Sequence, residues 1–561
     1  MRLPKSFVCV GLLVAASAWA QEPERRPRAD PVELLWQALR APVRDTKLRD
    51  AQLRAAIDRL RSPDDLRRAL LLNVWRDRDQ DEDVAAVDAR HRAAVVERFE
   101  RGVRSLLRQG DLDVRLATLK ALGALDRNVR GKGDEPLAQD FTGDLAELTR
   151  VGPALLREQA ARTLARVAPE PKAAAAALVA LLHDPDPGLR AVAGEALGAL
   201  VATSLSRDPA RTGSGGRHEH VIRAACAVVP AAAGGLTDPV TEVRRRCAEA
   251  LGHAAEALAA VVADAAAEDE VEDWEAYQQD VEEEREALRP LAVELRDQCG
   301  VLAQASGDAD ARVRILARHA LEDVAEARVR WLRRASSALA APEGQGDPAA
   351  ADRSAAFLLN EPLLAGLRQA LPALTAGVQD PDVEARRAAI DVLETMGRQA
   401  ALAAPALVVA LSDADRFVRW SAARALGKVH PANVAAAVSS LARLLGDRDT
   451  DLRLTAARAL CAYGPGARAA LPALVEAAQA REPQVRLAAL RALESIGSDD
   501  MAALAVLSAA LGDADGQVRQ LAAEVLEKVG PSRDEAVKAL LRPAPRDEGA
   551  PVKTVGSVQP R

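Results

Sequence analysis

The sequence predicts an all-α protein, an α-solenoid of stacked antiparallel helix pairs, and three observations carry that expectation. Of 561 residues, 49% are hydrophobic but only 2% aromatic. Sandwiches and barrels draw on aromatic and β-branched residues, whereas the Ala, Leu, Arg and Glu that dominate here are helix formers. A motif then recurs along the chain, most clearly as Asp413-Ala-Asp-Arg-Phe-Val418-Arg419-Trp-Ser-Ala-Ala-Arg-Ala425-Leu426-Gly427 and as Asp447-Arg-Asp-Thr-Asp-Leu452-Arg453-Leu-Thr-Ala-Ala-Arg-Ala459-Leu460. A third clear copy runs from Asp513 to Leu526. Finally, the arginines of the last five copies, Arg386, Arg419, Arg453, Arg486 and Arg519, step by 33, 34, 33 and 33 residues. A period that long denotes stacked two-helix units, none able to bury its apolar face alone.

The N-terminus reads as a targeting segment. Arg2 and Lys5 precede an apolar run from Ser6 to Ala16, and Ala18-Trp19-Ala20 places small residues where a signal peptidase reads. Residues 1–20 are therefore expected to be a secretory signal cleaved after Ala20, sending the protein to the periplasm or outside the cell. No later segment approaches the ~20 charge-free apolar residues of a spanning helix, so no membrane span is expected. With 75 basic and 82 acidic residues the formal charge is -7; a nucleic-acid binder would carry a basic footprint. Cys226, Cys247, Cys299 and Cys461 remain after cleavage, too few for a disulfide scaffold. Cys226 and Cys247 lie on two helices of one repeat, as a disulfide or as buried thiols.

Within one repeat the residues explain the fold. Residues 418, 422, 425 and 426 share one helical face and form a buried stripe of Val, Ala and Leu. Asp415 is placed to cap the free amides of that helix. The segment Pro405–Leu411 reads as its antiparallel partner, and Gly427, Gly397, Gly497 and Gly530 as the left-handed residues that end second helices.

In chain order, a linker over 21–30 leads into an irregular helical N-terminal cap over 31–102, where Ser62-Pro63-Asp64-Asp65 starts a helix. A first repeat block spans 103–340, with looser motif copies at Arg115, Arg157, Arg190, Arg244 and Arg314. Insertions near 126–144, 203–221 and 264–286 all follow second helices, so they are expected on one rim. A linker at 341–362 precedes a second, regular block over 363–542, and the Pro- and Gly-rich 543–561 reads as a disordered tail.

The signature D-x-D-x-x-V-R-x-x-A-A-x-A-L-G resembles HEAT repeats, particularly the bacterial subfamily named after phycobilisome lyases, and extends over about 103–530. The resemblance implies an armadillo-like superhelix with second helices on its concave side. It also implies a ladder between the turn Asp and the Arg six positions on: Asp184/Arg190, Asp238/Arg244, Asp308/Arg314, Asp380/Arg386, Asp413/Arg419, Asp447/Arg453 and Asp513/Arg519. The Arg486 copy departs, with Ala480 for Asp and Glu482 near the turn.

Those charges read as structural. The candidate partner site is the face of the second helices opposite the buried stripe, where Trp420, Leu454 and Leu487 form an apolar row beside Arg424, Arg458 and Arg491. Exposed apolar rows mark partner sites, and Trp and Arg are typical hot-spot residues; partial burial between repeats is the bland counterpart. The expected ligand is an acidic or amphipathic segment of another protein, bound by a monomer. Asp264–Glu286 holds twelve acidic residues and one basic, Arg285, around Trp274 and Tyr277, read as a solvated helix rather than a docking or Ca²⁺ segment. Asp77, Asp79, Asp81 and Asp83 lack the Gly and Glu of a calcium loop, carrying Glu82 and Asp88 instead. His218-Glu219-His220 has no second ligand cluster. No catalytic, metal or cofactor site is assigned, since no nucleophile-elbow, phosphate-loop, zincin or dinucleotide fingerprint appears. The reading is an exported, non-enzymatic HEAT-repeat scaffold; the alternative is a lyase-like or other HEAT-fold enzyme acting on a small molecule.

Overall fold

A computed structural model describes residues 100, 103–108, 112–123, 141–167, 171–206, 218–264, 274–339, 355–431, 433–497 and 501–528. The expected signal, the 21–30 linker, the N-terminal cap up to residue 99, the Asp77–Asp83 run and the C-terminal tail lie outside them. Among the described residues every regular element is helical, and the fold is all-α. The chain forms two compact units, Met1–Leu181 and Leu182–Arg561.

In the first unit, α1 (Leu112–Gly123), α2 (Thr142–Leu148), α3 (Ala154–Val167) and α4 (Pro171–Leu181) pack around fully buried Leu119, Leu122, Phe141, Leu145, Leu156, Leu164 and Leu178. Helix α1 lies on α3, and α2 on both α3 and α4. Asp144 receives Arg104 at 3.0 Å and Arg108 at 2.8 Å, tying the start of α2 to the preceding segment.

The second unit is a two-layered stack. Its second helices are α5 (Pro187–Ser206), α7 (Thr241–Asp264), α9 (Ala311–Leu339), α11 (Val383–Met396), α13 (Arg416–Val429), α15 (Thr450–Tyr463), α17 (Pro483–Ile496) and α19 (Gly516–Lys528). Each packs on the next. The first helices form the other layer: α6 (Glu219–Gly235), α8 (Trp274–Ala305), α10 (Ala355–Gly377), α12 (Ala404–Ala410), α14 (Ala435–Leu444), α16 (Leu471–Ala477) and α18 (Met501–Ala510). The reason is in the stripe: Val418, Ala422, Ala425 and Leu426 are all fully buried, as their spacing predicts. Asp415 accepts from the amides of Phe417 and Val418 at 2.8 and 3.0 Å, the expected cap.

Two expectations shift. Gly397 and Gly497 do end their helices with φ of +57° and +67°. Gly427 does not: α13 continues to Val429, and His430 takes the left-handed position at φ 48°. Gly427 serves close approach instead, because a Cβ there would stand 3.2 Å from Ala459 Cα in the next repeat. The 264–286 insertion resolves into a helix from Trp274 onward that is continuous with the first helix of its repeat, making α8 32 residues long. Across the segment 340–354, α8 packs on α10 and α9 on α11, so the stack carries on within one unit.

Helix α5 is long and apolar enough to cross a membrane by length and composition alone. It carries Arg190 and Glu195, and Leu189, Val192, Ala196, Leu197, Leu200 and Val201 are buried in the stack. The four described cysteines are free thiols, with Cys247 and Cys299 buried. Burial pushes both thiols up to about 12, and Cys226 to about 11.

Candidate functional site

The turn charges hold the second helices in register. Arg190 grips Asp238 with Nε at 2.7 Å and Nη2 at 3.2 Å, and Arg244 grips Asp308 at 2.7 and 3.0 Å. Arg314 meets Asp380 twice at 2.8 Å, Arg386 meets Asp413 at 2.9 Å, and Arg486 meets Asp513 at 2.7 and 2.6 Å. Each arginine therefore reaches the aspartate of the following repeat, in the two-pronged geometry that suits guanidinium and carboxylate. Its Nη1 meanwhile donates to the carbonyl of its own turn Asp, at 2.9 Å for Arg190, Arg244, Arg314, Arg386, Arg419 and Arg453. The Arg486 guanidinium holds the Asp513 carboxyl below the usual carboxylate range.

The substitution at Ala480 falls on a different arginine from the one the sequence singles out. Arg486 keeps its rung to Asp513, while Arg453, which should have met an aspartate at 480, reaches Glu482 at 2.8 Å instead. Arg419 makes its two carbonyl bonds, to Asp413 and Ala414, with no carboxylate rung among the described residues. Sequence reasoning missed Arg318. It is 1% exposed, donates to the carbonyls of Ala385 (2.6 Å) and Ser306 (2.8 Å), and shares Asp380 with Arg314 at 2.9 Å. Its signal was present: other copies place Ala423, Ala457, Leu490 or Ile390 at that register.

On the outward face of the second helices, a groove of about 540 Å³ opens between α13 and α15. It brings together four of the six predicted partner residues, Trp420, Arg424, Leu454 and Arg458, with Phe417, Lys428 and Asp451 also in its walls. Gly427 and Ala459 make the floor, where the absent side chain lets the helices close up. Leu487 and Arg491 lie outside the groove, at the same register on α17. Trp420, Leu454 and Leu487 are half-buried, so the apolar row is only partly open; Phe417, 47% exposed, lies under Arg416 (4.7 Å) and Arg387 (5.5 Å).

The basic row is not uniform. Arg424 lies over the Trp420 ring at 4.4 Å and pairs with Asp391 at 3.0 Å and with Glu394, which also takes Lys428 at 2.6 Å. Arg458 and Arg491 are exposed and make no ion pair among the described residues. Upstream on the same face the charge changes sign. Burial, with Asp391 and other carboxylates close by, pushes Glu322 up to about 7; burial and Glu256 do the same to Asp323.

His218 and Glu219 start α6, with Glu219 paired to Arg223. Among the described residues no group of three or more His, Cys, Asp or Glu is placed to hold a metal.

Comparison with known families bears on the regular repeats. The family model described as HEAT repeats matches residues 371–461, 438–527 and 471–555. Residues 371–555 match HEAT repeats. This region coincides with the helices that build the groove. No curated protein matches the chain. Among solved structures, a chain from the complex of Kap95p with RanGDP is 12% identical, covering 92% of this chain and 63% of its own, with a TM-score of 0.38. A Kap121p mutant is 14% identical over 90% of this chain and 57% of its own, at 0.30. An engineered protein is 16% identical over 64% and 97%, at 0.26. The chain thus spans less than two thirds of the Kap95p-complex and Kap121p chains.

Proposed function

We propose that this protein is an exported, non-enzymatic HEAT-repeat scaffold that binds a segment of another protein across the second-helix face, centred on the groove between α13 and α15. The groove carries this reading. It combines a half-buried Trp, a Leu and an unpaired exposed Arg in one cleft, the composition of interface hot spots. A closed solenoid core has no use for Arg458 there. Export rests on the basic start, apolar run and Ala18-Trp19-Ala20 of the N-terminus.

The test is a photo-reactive residue at Leu454 in the producing cell, followed by identification of the crosslinked protein. Capture of one defined partner, lost in the Trp420→Glu/Arg458→Glu double variant while the fold stays intact by circular dichroism, supports the reading. Capture that is indifferent to the double variant, or turnover of a small molecule by the purified chain, sinks it. N-terminal sequencing of the exported protein checks cleavage after Ala20.

A further inference from the structure

Resting on the groove reading, we infer that the ligand is an extended polyproline-II-like segment that places an apolar side chain over Trp420 and carboxylates three and six residues further on, against Arg458 and Arg491. Arg424 is held from the preceding repeat. Its two carboxylates, Asp391 and Glu394, stand 33 and 30 residues earlier, on the preceding second helix. One repeat on, the residues that should hold Arg458 are Arg424 and Gly427; for Arg491 they are Arg458 and Cys461. The clamp is therefore missing twice in succession. Each bare guanidinium has a like charge at its neighbouring register instead of a counterion. Both are exposed, so their carboxylates have room to come from outside.

Spacing selects the ligand's conformation. Packed helices lie roughly 8–10 Å apart, so Arg458 and Arg491, at one register on α15 and α17, are spaced by about that distance, while Trp420, at the register of Leu454 one turn earlier on α13, stands about 11 Å from the Arg458 position on the diagonal. A polyproline-II chain advances about 3.1 Å per residue with three residues per turn, or ~9 Å per turn, and returns the same face at every third position. A β-strand reverses its face between positions i and i+3 and does not match. Asp451 lines the opposite end of the groove, seven residues and about 10 Å along the helix from Arg458, which directs the acidic side chains to the Arg458 end.

The experiment is fluorescence anisotropy of the mature full-length chain with labelled synthetic peptides. Each carries one Leu anchor and two Glu, at +3 and +6, at +1 and +2, or at +7 and +14 on a helical peptide, or Lys at +3 and +6. The +3/+6 peptide is expected to bind at least tenfold tighter than the Lys peptide and several-fold tighter than the other acidic ones. Arg491→Glu should abolish that advantage, and an Arg at +6 of the peptide should restore binding to the Arg491→Glu variant. Preference for the helical spacing, or equal binding of all acidic peptides with no dependence on Arg491, overturns the inference; if Trp420→Ala still weakens them all, the groove reading survives. Failure of every peptide to bind at millimolar concentration sinks both.

Discussion

Replacing Asp380 by Asn isolates the contribution of a buried charge at a point where two others depend on it. Asp380 Oδ2 accepts from Arg314 Nε at 2.8 Å and Arg318 Nη2 at 2.9 Å, while Oδ1 accepts from Arg314 Nη2 at 2.8 Å and the Asp382 amide at 3.0 Å. Asp308 provides an internal reference. It makes the same bidentate bond to Arg244 at 2.7 and 3.0 Å, and the same turn bond to the Asp310 amide at 2.8 Å, but has no second arginine among the described residues. Its pair is also wetter, with side-chain exposures of 11% and 14%, against 5% for Asp380 and 1% for Arg318. Burial already lowers the pKa of the Arg318 guanidinium from its ordinary value. Losing a partly exposed charge-assisted pair costs about 1–2 kcal/mol, whereas stranding a buried charge costs about 3–5 kcal/mol. Asp380→Asn is thus expected to destabilise the second unit by roughly 2–3 kcal/mol more than Asp308→Asn. Guanidinium denaturation followed by circular dichroism measures the difference, and hydrogen exchange on α9 and α11 localises it, because repeat arrays unfold in parts. The double variant Arg318→Met/Asp380→Asn should regain most of the extra loss, since no buried charge is left unpaired. Equal costs for Asp380→Asn and Asp308→Asn, or no recovery in the double variant, would refute the reasoning.

Three further outcomes are expected. Ala480→Asp supplies Arg453 with the carboxylate found at that turn position in the other rungs, and should stabilise by about 1 kcal/mol, read as a higher denaturation midpoint; a lower midpoint argues that Glu482 already completes the rung. Gly427→Ala crowds Ala459, where the new Cβ would stand 3.2 Å from its Cα. It should cost about 1–2 kcal/mol, in contrast to a solvent-exposed glycine-to-alanine change in a helix, which stabilises. Glu322 titrates near 7 in the folded chain against an ordinary 4.5. Between those values the folded state keeps a proton that the unfolded state has lost, so this group's contribution to stability falls as pH rises through the window. Glu322→Gln should therefore raise the melting temperature at pH 8 and leave it nearly unchanged at pH 4.5; equal shifts at both would remove burial of the charge as the cause.

The repeat, its buried stripe and the Asp415 cap were legible because they depend on residues close in sequence: four positions on one helix face, or a side chain two residues from the amide it caps. Four of the six site residues meet in one groove because position within a repeat maps directly onto position in the stack. What stayed hidden depends on neighbouring repeats. Arg424 looks as free as Arg458 within its own motif, and only the preceding helix, with Asp391 and Glu394, distinguishes them. Gly427 looks like a helix terminator until Ala459 is placed against it. Arg318 breaks the apolar register, but its partners lie 12, 62 and 67 residues away.

Helices α5, α7 and α9 begin at the Asp–Arg turns and end at the opposite edge of the stack. Register is set at one margin of the stack and length is added at the other. Insertions can accumulate, shrink or acquire new chemistry there without disturbing how any helix meets the next. A chain built this way can change what its loops offer while the face carrying Trp420, Arg458 and Arg491 stays where it is.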